Sequence, residues 1–270
     1  MLESRRLGEA LETGGNKQMK AIILSAGQGR RLLPLTADKP KSALPVCGRS
    51  LLEWQLHEMA QCAIDEVVVV TGFAADVIDD IVARQADVPT RTLYNPFFAQ
   101  CDNLGTCWVA RGEMQRDFLI VNGDTLFEAA ILRRLLDTDS GAAVTLVTDS
   151  KPSYDDDDMK VIVADGRLQR VGKQLDRHIV NGESIGMMAF RGEGPAQFAL
   201  QLDYMMRHGT GLKQWYLAAV DQLADRGFVA TCPIDGLSWC EVDDSADLER
   251  AAQVIASWYP AAIATTGSAG

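Results

Sequence analysis

The sequence predicts an α/β fold, a mixed and mainly parallel central sheet covered by helices, on three observations. Short apolar runs alternate with helical stretches through the first half of the chain. The alternation implies right-handed crossovers onto a doubly covered sheet. After Ser150 the rhythm changes, and Asp165-Gly166 between two apolar runs marks a tight hairpin, adding antiparallel strands to the same sheet.

The elements follow in order. Lys20 to Ser25 (KAIILS) reads as a buried strand, Leu51 to Cys62 as an amphipathic helix capped by Ser50, and Glu66 to Thr71 (EVVVVT) as a second buried strand. Next come a helix at Ala75 to Gln85, a strand at Arg91 to Tyr94, a helix at Leu104 to Gly112 and a strand at Phe118 to Val121. A helix at Glu128 to Leu136 and a strand at Ala142 to Val147 complete the first half. The hairpin pairs Met159 to Ala164 with Leu168 to Val171, and Ser184 to Phe190 is a further strand. Helices near 195–207 and 212–225, a strand at 228–232 and a helix from Asp244 to Ser257 close the fold. Residues 1–18 are expected to form a flexible extension and 259–270 a flexible tail, leaving 19–258 as a single domain.

The 270 residues suffice for a large core. Hydrophobic residues at 47% and charged residues at 23% set aside disordered and fibrous classes. A formal charge of −11 argues against nucleic-acid and membrane partners. Yet residues 1–50 hold nine Lys or Arg against four Asp or Glu, a basic head on an acidic protein. The six cysteines form no C-x-x-C pair and the three histidines lie far apart, so no zinc site is expected. With no long apolar run, a cytoplasmic protein with free thiols is expected, a monomer or small homo-oligomer.

The strongest local signal follows the first strand, in Ala26-Gly27-Gln28-Gly29-Arg30-Arg31-Leu32. Glycines there let backbone N–H groups approach phosphate oxygens. Leu32 occupies the place where a dinucleotide fingerprint needs a third glycine, and no Gly-Lys-Ser/Thr is present for a Walker loop. Arg30, Arg31, Lys39 and Lys41 follow instead, and guanidinium forks with lysine point charges suit a triphosphate. Asp124 ends the apolar run FLIVNGD, where open α/β sheets place ligand crevices. Alone, it is better read as a turn or helix-capping aspartate, common after Asn-Gly. Glu241 and Asp243, two apart on an extended segment, face one side and could close a Mg²⁺ site with Asp124, while Asp244 caps the last helix.

The run from Lys20 to Leu32, continued by Lys39-Pro40-Lys41 and Leu44-Pro45-Val46, resembles the N-terminal signature of the sugar-phosphate nucleotidyltransferase superfamily. Tyr94-Asn95-Pro96-Phe97, Val121-Asn122-Gly123-Asp124, Gly182-Glu183-Ser184-Ile185-Gly186 and Trp239-Cys240-Glu241-Val242-Asp243 look most like its bacterial choline-phosphate cytidylyltransferase branch. The resemblance spans about residues 19 to 258. It implies a Rossmann-like nucleotidyltransferase domain that uses Mg²⁺ to join a nucleoside triphosphate, CTP by preference, to phosphocholine or a related phospho-amino-alcohol, releasing pyrophosphate. A sugar- or polyol-phosphate acceptor with UTP, GTP or dTTP is the alternative, and a non-catalytic nucleotide-binding subunit another. Matched to the family, Arg31 and Lys41 grip the triphosphate and Lys173 meets the acceptor phosphate. Leu24, Ala26, Gly27, Gly29, Asn103 and Gly123 belong to the nucleotide-binding segments, and Asp124, Asp243 and Glu241 are the metal ligands. Gly172 stands where many sugar-specific members carry glutamate before that lysine.

Three features take plainer readings. Asp155 to Asp158 is expected to be a solvated loop, and Asn103 doubles as a candidate N-cap. Trp215, Tyr216, Trp239 and Tyr154 could line a quaternary-amine cage, though aromatic residues at such places are more often core.

Overall fold

The computed structural model describes residues 19–260 except 86 and 210, so the expected extension and the expected tail beyond residue 260 lie outside the described residues. The first half runs β1 (Lys20–Ser25), β2 (Pro45–Val46), β3 (Arg49–Ser50), α1 (Leu51–Ala60), β4 (Glu66–Thr71), α2 (Ala75–Arg84) and β5 (Thr90–Tyr94). It continues through α3 (Asn103–Val109), β6 (Phe118–Asn122), β7 (Thr125–Phe127), α4 (Ala129–Asp137) and β8 (Val144–Asp149). The second half runs β9 (Lys160–Ala164), β10 (Arg167–Gly172), β11 (Gly182–Phe190), α5 (Gly194–Arg207), α6 (Leu217–Asp225), β12 (Val229–Pro233), β13 (Trp239–Glu241) and α7 (Ser245–Trp258).

Nine strands form one mixed sheet in the order β5-β4-β1-β6-β11-β8-β12-β10-β9, with β9 also pairing β11. β5, β4, β1 and β6 are mutually parallel. Only β11 and β10 run against the remaining strands. The hairpin between β9 and β10 turns on Asp165 and Gly166, both at positive φ, as a two-residue turn matching strand twist requires.

Alternation along the strands separates two cores. Ala21 and Ile23 of β1 join Leu56 of α1, Ile78 of α2 and Ile131 of α4 on one face. Ile22 joins Leu104 of α3, Phe198 of α5 and Val220 of α6 on the other. A third cluster, with Leu32, Leu44, Leu126, Val242 and Ile255, packs α7 against the loop after β1. α1 begins in the expected capping box: Ser50 Oγ accepts from the Glu53 amide, and Glu53 Oε2 accepts from the Ser50 amide. Asp244 caps α7 in the same way with Asp247.

Two expectations need correcting. The helix expected at 212–225 is a 3-10 turn at Gly211–Lys213, then a break, then α6. The carbonyls of Leu212 and Gln214 instead accept from the amides of Asp102 and Leu104 at the start of α3, which draws this segment out of helical register. Asn103 is the first residue of α3 rather than its N-cap, and its Oδ1 accepts from the Tyr216 amide.

One buried side chain holds the turn between β6 and β7. Gln55 of α1 donates from Nε2 to the carbonyls of Asn122, at 2.7 Å, and Thr125, at 2.8 Å. Gln55→Leu orphans both carbonyls and is expected to cost roughly 2–4 kcal/mol of stability. Urea unfolding measures the loss, and a change within error of zero would contradict this role.

Candidate active site

The site assembles where β1, β6 and β13 end. After Ser25 the chain turns through Gly27 and Gly29 into a single 3-10 turn, Arg30–Leu32. Gly29 lies at φ +78°, and a Cβ there would stand 2.8 Å from Lys41 Cβ. Glycine is therefore needed twice, for conformation and for close approach. Thr36 Oγ1 donates to the Gly29 carbonyl, and Gln28 Nε2 donates to the Thr36 carbonyl, closing the loop on itself.

On the neighbouring strand the Gly123 amide donates to the Leu24 carbonyl at 3.0 Å. A Cβ at Gly123 would meet that same oxygen at 2.5 Å, so glycine lets the Asp124 turn lie against the end of β1. β7 then pairs with β13, Thr125 opposite Glu241, and the Val242 amide donates to the Asp124 carbonyl at 3.1 Å. This three-residue ladder joins acidic residues more than a hundred positions apart.

Asp124, Glu241 and Asp243 each bring a carboxylate oxygen within 4.8 Å of the others. Lys41 Nζ lies 2.6 Å from Asp124 Oδ2 and 2.7 Å from Asp243 Oδ1, and Arg31 Nη2 lies 2.9 Å from Asp243 Oδ2. Burial alone would lower Lys41, but the two aspartates outweigh it and hold the ammonium above its ordinary value. Burial would raise Asp243, but Lys41, Arg31 and Lys173 hold it below. Glu241 is pushed up by desolvation in the cleft and by the charges of Asp124 and Asp243. Its side chain still opens to solvent, so the like charges set that direction. Asp124 Oδ1 is buried without a hydrogen-bond partner. An oxygen-only donor set with one orphaned oxygen fits Mg²⁺, which takes a few carboxylates plus phosphate oxygens and water.

Two cavities flank this centre. One, of about 600 Å³, is lined by Leu24, Ala26, Gly27, Asn103, Phe73 and Trp215 among others, and by the charged Arg30, Asp102 and Lys213. The other, of about 460 Å³, is lined by Arg31, Asp149, Lys151, Asp158, Glu183, Trp239, Glu241 and Asp243 among others, and carboxylates dominate it. Lys173 Nζ sits 4.7 Å from the centroid of the Trp215 ring and 3.4 Å from Asp157 Oδ1. The structure thus gathers Arg31, Lys41, Asp124, Glu241 and Asp243 into one cluster, and sets Lys173 beside it through Asp157.

The acidic loop is exposed at Asp155, Asp156 and Asp157, as a solvated run should be, and its carboxylates are also paired. Asp157 bridges Arg31, at 3.2 Å, and Lys173, while Asp156 pairs with Arg177 and Asp158 with Lys151. Tyr216 is core, fully buried, with its hydroxyl donating to Asn122 Oδ1 at 3.0 Å. Trp239 is fixed by an indole N–H donated to Asp149 Oδ2 at 2.7 Å. Several residues of the site carry no sequence signal. Glu183 lies within Gly182-Glu183-Ser184-Ile185-Gly186 with no pattern that assigns it a role, and none marks Lys151, whose ammonium lies 2.9 Å from it. Nor does any signal mark Lys160, buried, which donates to the Lys173 carbonyl at 2.9 Å.

A glycine-rich turn followed by paired cations, set against carboxylates at the strand ends of a mixed α/β sheet, is the arrangement expected from the resemblance to nucleotidyltransferases. The chain belongs to the MobA-like NTP transferase domain family, whose model matches residues 21–193. It is 28% identical over 243 residues to the CMP-5'-(3-aminopropyl)phosphonate synthase of Streptomyces rubellomurinus, a match covering 86% of this chain and 38% of that relative. The chain thus spans well under half the length of that protein. Its fold is like that of the inositol-1-phosphate CTP transferase from T. maritima, with TM-score 0.77, 18% identity, and 91% and 98% of the two chains covered. It is also like the CTP:phosphocholine cytidylyltransferase of Streptococcus pneumoniae, with TM-score 0.72, 18% identity, and 88% and 99% covered. Among the described residues no helix is long and apolar enough to cross a membrane.

Glu183 supplies a test of the electrostatics. Burial raises its carboxyl from 4.5 to about 7, a rise that Lys151 partly offsets and Asp158 reinforces. A carboxyl protonated more readily in the folded state contributes stability that is complete below pH 4.5 and lost as pH rises through about 7. Glu183→Gln is therefore expected to flatten the decline in unfolding free energy between about pH 5 and about pH 8. Parallel slopes for wild type and variant in urea melts at both pH values would refute it.

Proposed function

We propose that the protein is a cytidylyltransferase that joins CTP to a phosphorylated or phosphonylated acceptor bearing a cationic nitrogen and releases pyrophosphate. The observation that carries the proposal is the position of Arg31 and Lys41 against Asp124 and Asp243, beside one cavity of mixed lining and one acidic one. The mixed cavity, with Leu24, Ala26, Gly27 and Asn103 on its wall, takes the nucleoside, and the Gly27–Gly29 loop faces the phosphates. Gly123 contributes space, letting the end of β6 approach β1.

An oxygen of the acceptor phosphate or phosphonate attacks the α-phosphorus of CTP. As that P–O bond forms, the bond from the α-phosphorus to the bridging oxygen breaks, and the electron pair leaves with pyrophosphate. Arg31 and Lys41 contact the triphosphate and offset charge building on it and on the leaving group. Lys173 orients the acceptor's charged oxygens beside the nucleotide, which turns an encounter into an aligned attack. Asp124, Asp243 and Glu241 would hold Mg²⁺, which supplies positive charge to the phosphate oxygens when bound.

CTP is supported by the relatives named for CTP or CMP chemistry. The nitrogen-bearing acceptor is supported by the Asp149, Asp158 and Glu183 carboxylates around Trp239, whose ring face is a further surface suited to a cation.

Incubation with mixed nucleoside triphosphates, Mg²⁺ and a panel of phosphocholine, aminoalkylphosphonates, sugar phosphates and polyol phosphates, read by mass spectrometry, is expected to yield a CMP conjugate of an amine-bearing acceptor. A sugar or polyol conjugate would overturn the acceptor assignment, and tight CTP binding without product would overturn the enzyme assignment. Arg31→Ala is expected to lower kcat/KM by about 10²–10³-fold with the fold intact.

A further inference from the structure

The ammonium of Lys41 lies between two of the three clustered carboxylates. It stands 2.6 Å from Asp124 and 2.7 Å from Asp243, with Glu241 completing the cluster. Three acidic groups this close repel one another, and an internal cation relieves that repulsion. The relief is partial: Asp124 Oδ1 keeps no partner, and Glu241 has no ion pair of its own among the described residues. A lysine ammonium and a divalent cation cannot both occupy so small a space.

The path of the Lys41 side chain supplies the second observation. Its Cβ, Cγ and Cδ run alongside Gly29: a methyl group there would collide with Cβ at 2.8 Å and stand 3.4 Å from Cγ and Cδ. The stem is therefore held against the phosphate loop while the terminal ammonium reaches the carboxylates. Rotation about the last bonds of the side chain moves the charge from the carboxylates toward the loop without moving the backbone.

We propose that Lys41 is the resident cation of the carboxylate cluster in the free protein, and that it is released to the triphosphate only when a divalent cation replaces it. This rests on the assignment of Asp124, Glu241 and Asp243 as metal ligands. The exchange makes the free protein a poor metal binder and favours arrival of metal and triphosphate together, since the triphosphate supplies the oxygens that receive the displaced ammonium. Lys41 thus has two alternate partners, one for each state of the site.

Binding of Mn²⁺ in the absence of nucleotide, followed by electron paramagnetic resonance of the free ion, tests the exchange. Lys41→Met is expected to bind Mn²⁺ at least about tenfold more tightly than wild type, because the competing charge is gone and the carboxylates stand unneutralised. Adding Asp124→Asn to Lys41→Met should abolish the gain, tying it to this cluster. Equal or weaker binding by Lys41→Met overturns the exchange while leaving the metal assignment standing. No binding by either protein, with or without CTP, overturns both. The wild-type chain gives a readout independent of the variant's folding, by mass-spectrometric footprinting with an amine-acylating reagent. Mg²⁺ at concentrations that saturate the weak nucleotide-free site is expected to raise modification of Lys41 several-fold relative to Lys39, and an unchanged ratio at saturation overturns the exchange.

Discussion

Three carboxylates drawn into one small space, with a lysine and an arginine among them, are the constraint on which the rest of this structure turns. Asp124, Glu241 and Asp243 come from segments far apart in the chain, and bringing them within 4.8 Å of one another is unfavourable without positive charge. Lys41 and Arg31 provide it, and both are carried by the loop that leaves β1. The glycines of that loop, the Gln55 clamp on the Asp124 turn and the short β7–β13 ladder can each be read as a device that holds these charges in register.

The same centre divides the cleft by polarity. On one side the ends of β1 and α3 border a cavity of mixed lining, where Arg30, Asp102 and Lys213 stand among uncharged residues. On the other, β8, β11 and β13 contribute Asp149, Glu183 and Glu241 to a strongly acidic wall. Asp157 links Arg31 to Lys173 beside that wall. The formal charge of −11 is thus not spread evenly over function: most of it is surface, and a few carboxylates shape one wall of the cleft.

Much of the scaffold was legible because it depends on local pattern. The runs KAIILS and EVVVVT are buried on both faces and pair in parallel, the Asp165-Gly166 turn forms the hairpin it implies, and Ser50 and Asp244 cap the helices they precede. The failures lie where long-range contacts override local preference. The stretch 212–225 has helical periodicity throughout, yet amides at the start of α3 claim the carbonyls of Leu212 and Gln214 and break it. Asp155 to Asp158 forms the exposed loop its composition implies, but no local pattern says that its aspartates meet Arg31, Lys151, Lys173 and Arg177.

By itself the sequence determined the order of strands and helices, the glycine turn after β1 and the residue types for phosphate chemistry, because spacing and side-chain chemistry are local properties. Only the tertiary structure decided which charges meet. That Lys41 rests on Asp124 and Asp243, and that Glu183 is buried against Lys151, follows from loop closures spanning tens to hundreds of residues. No periodicity encodes such closures; they are selected by the packing of the sheet as a whole.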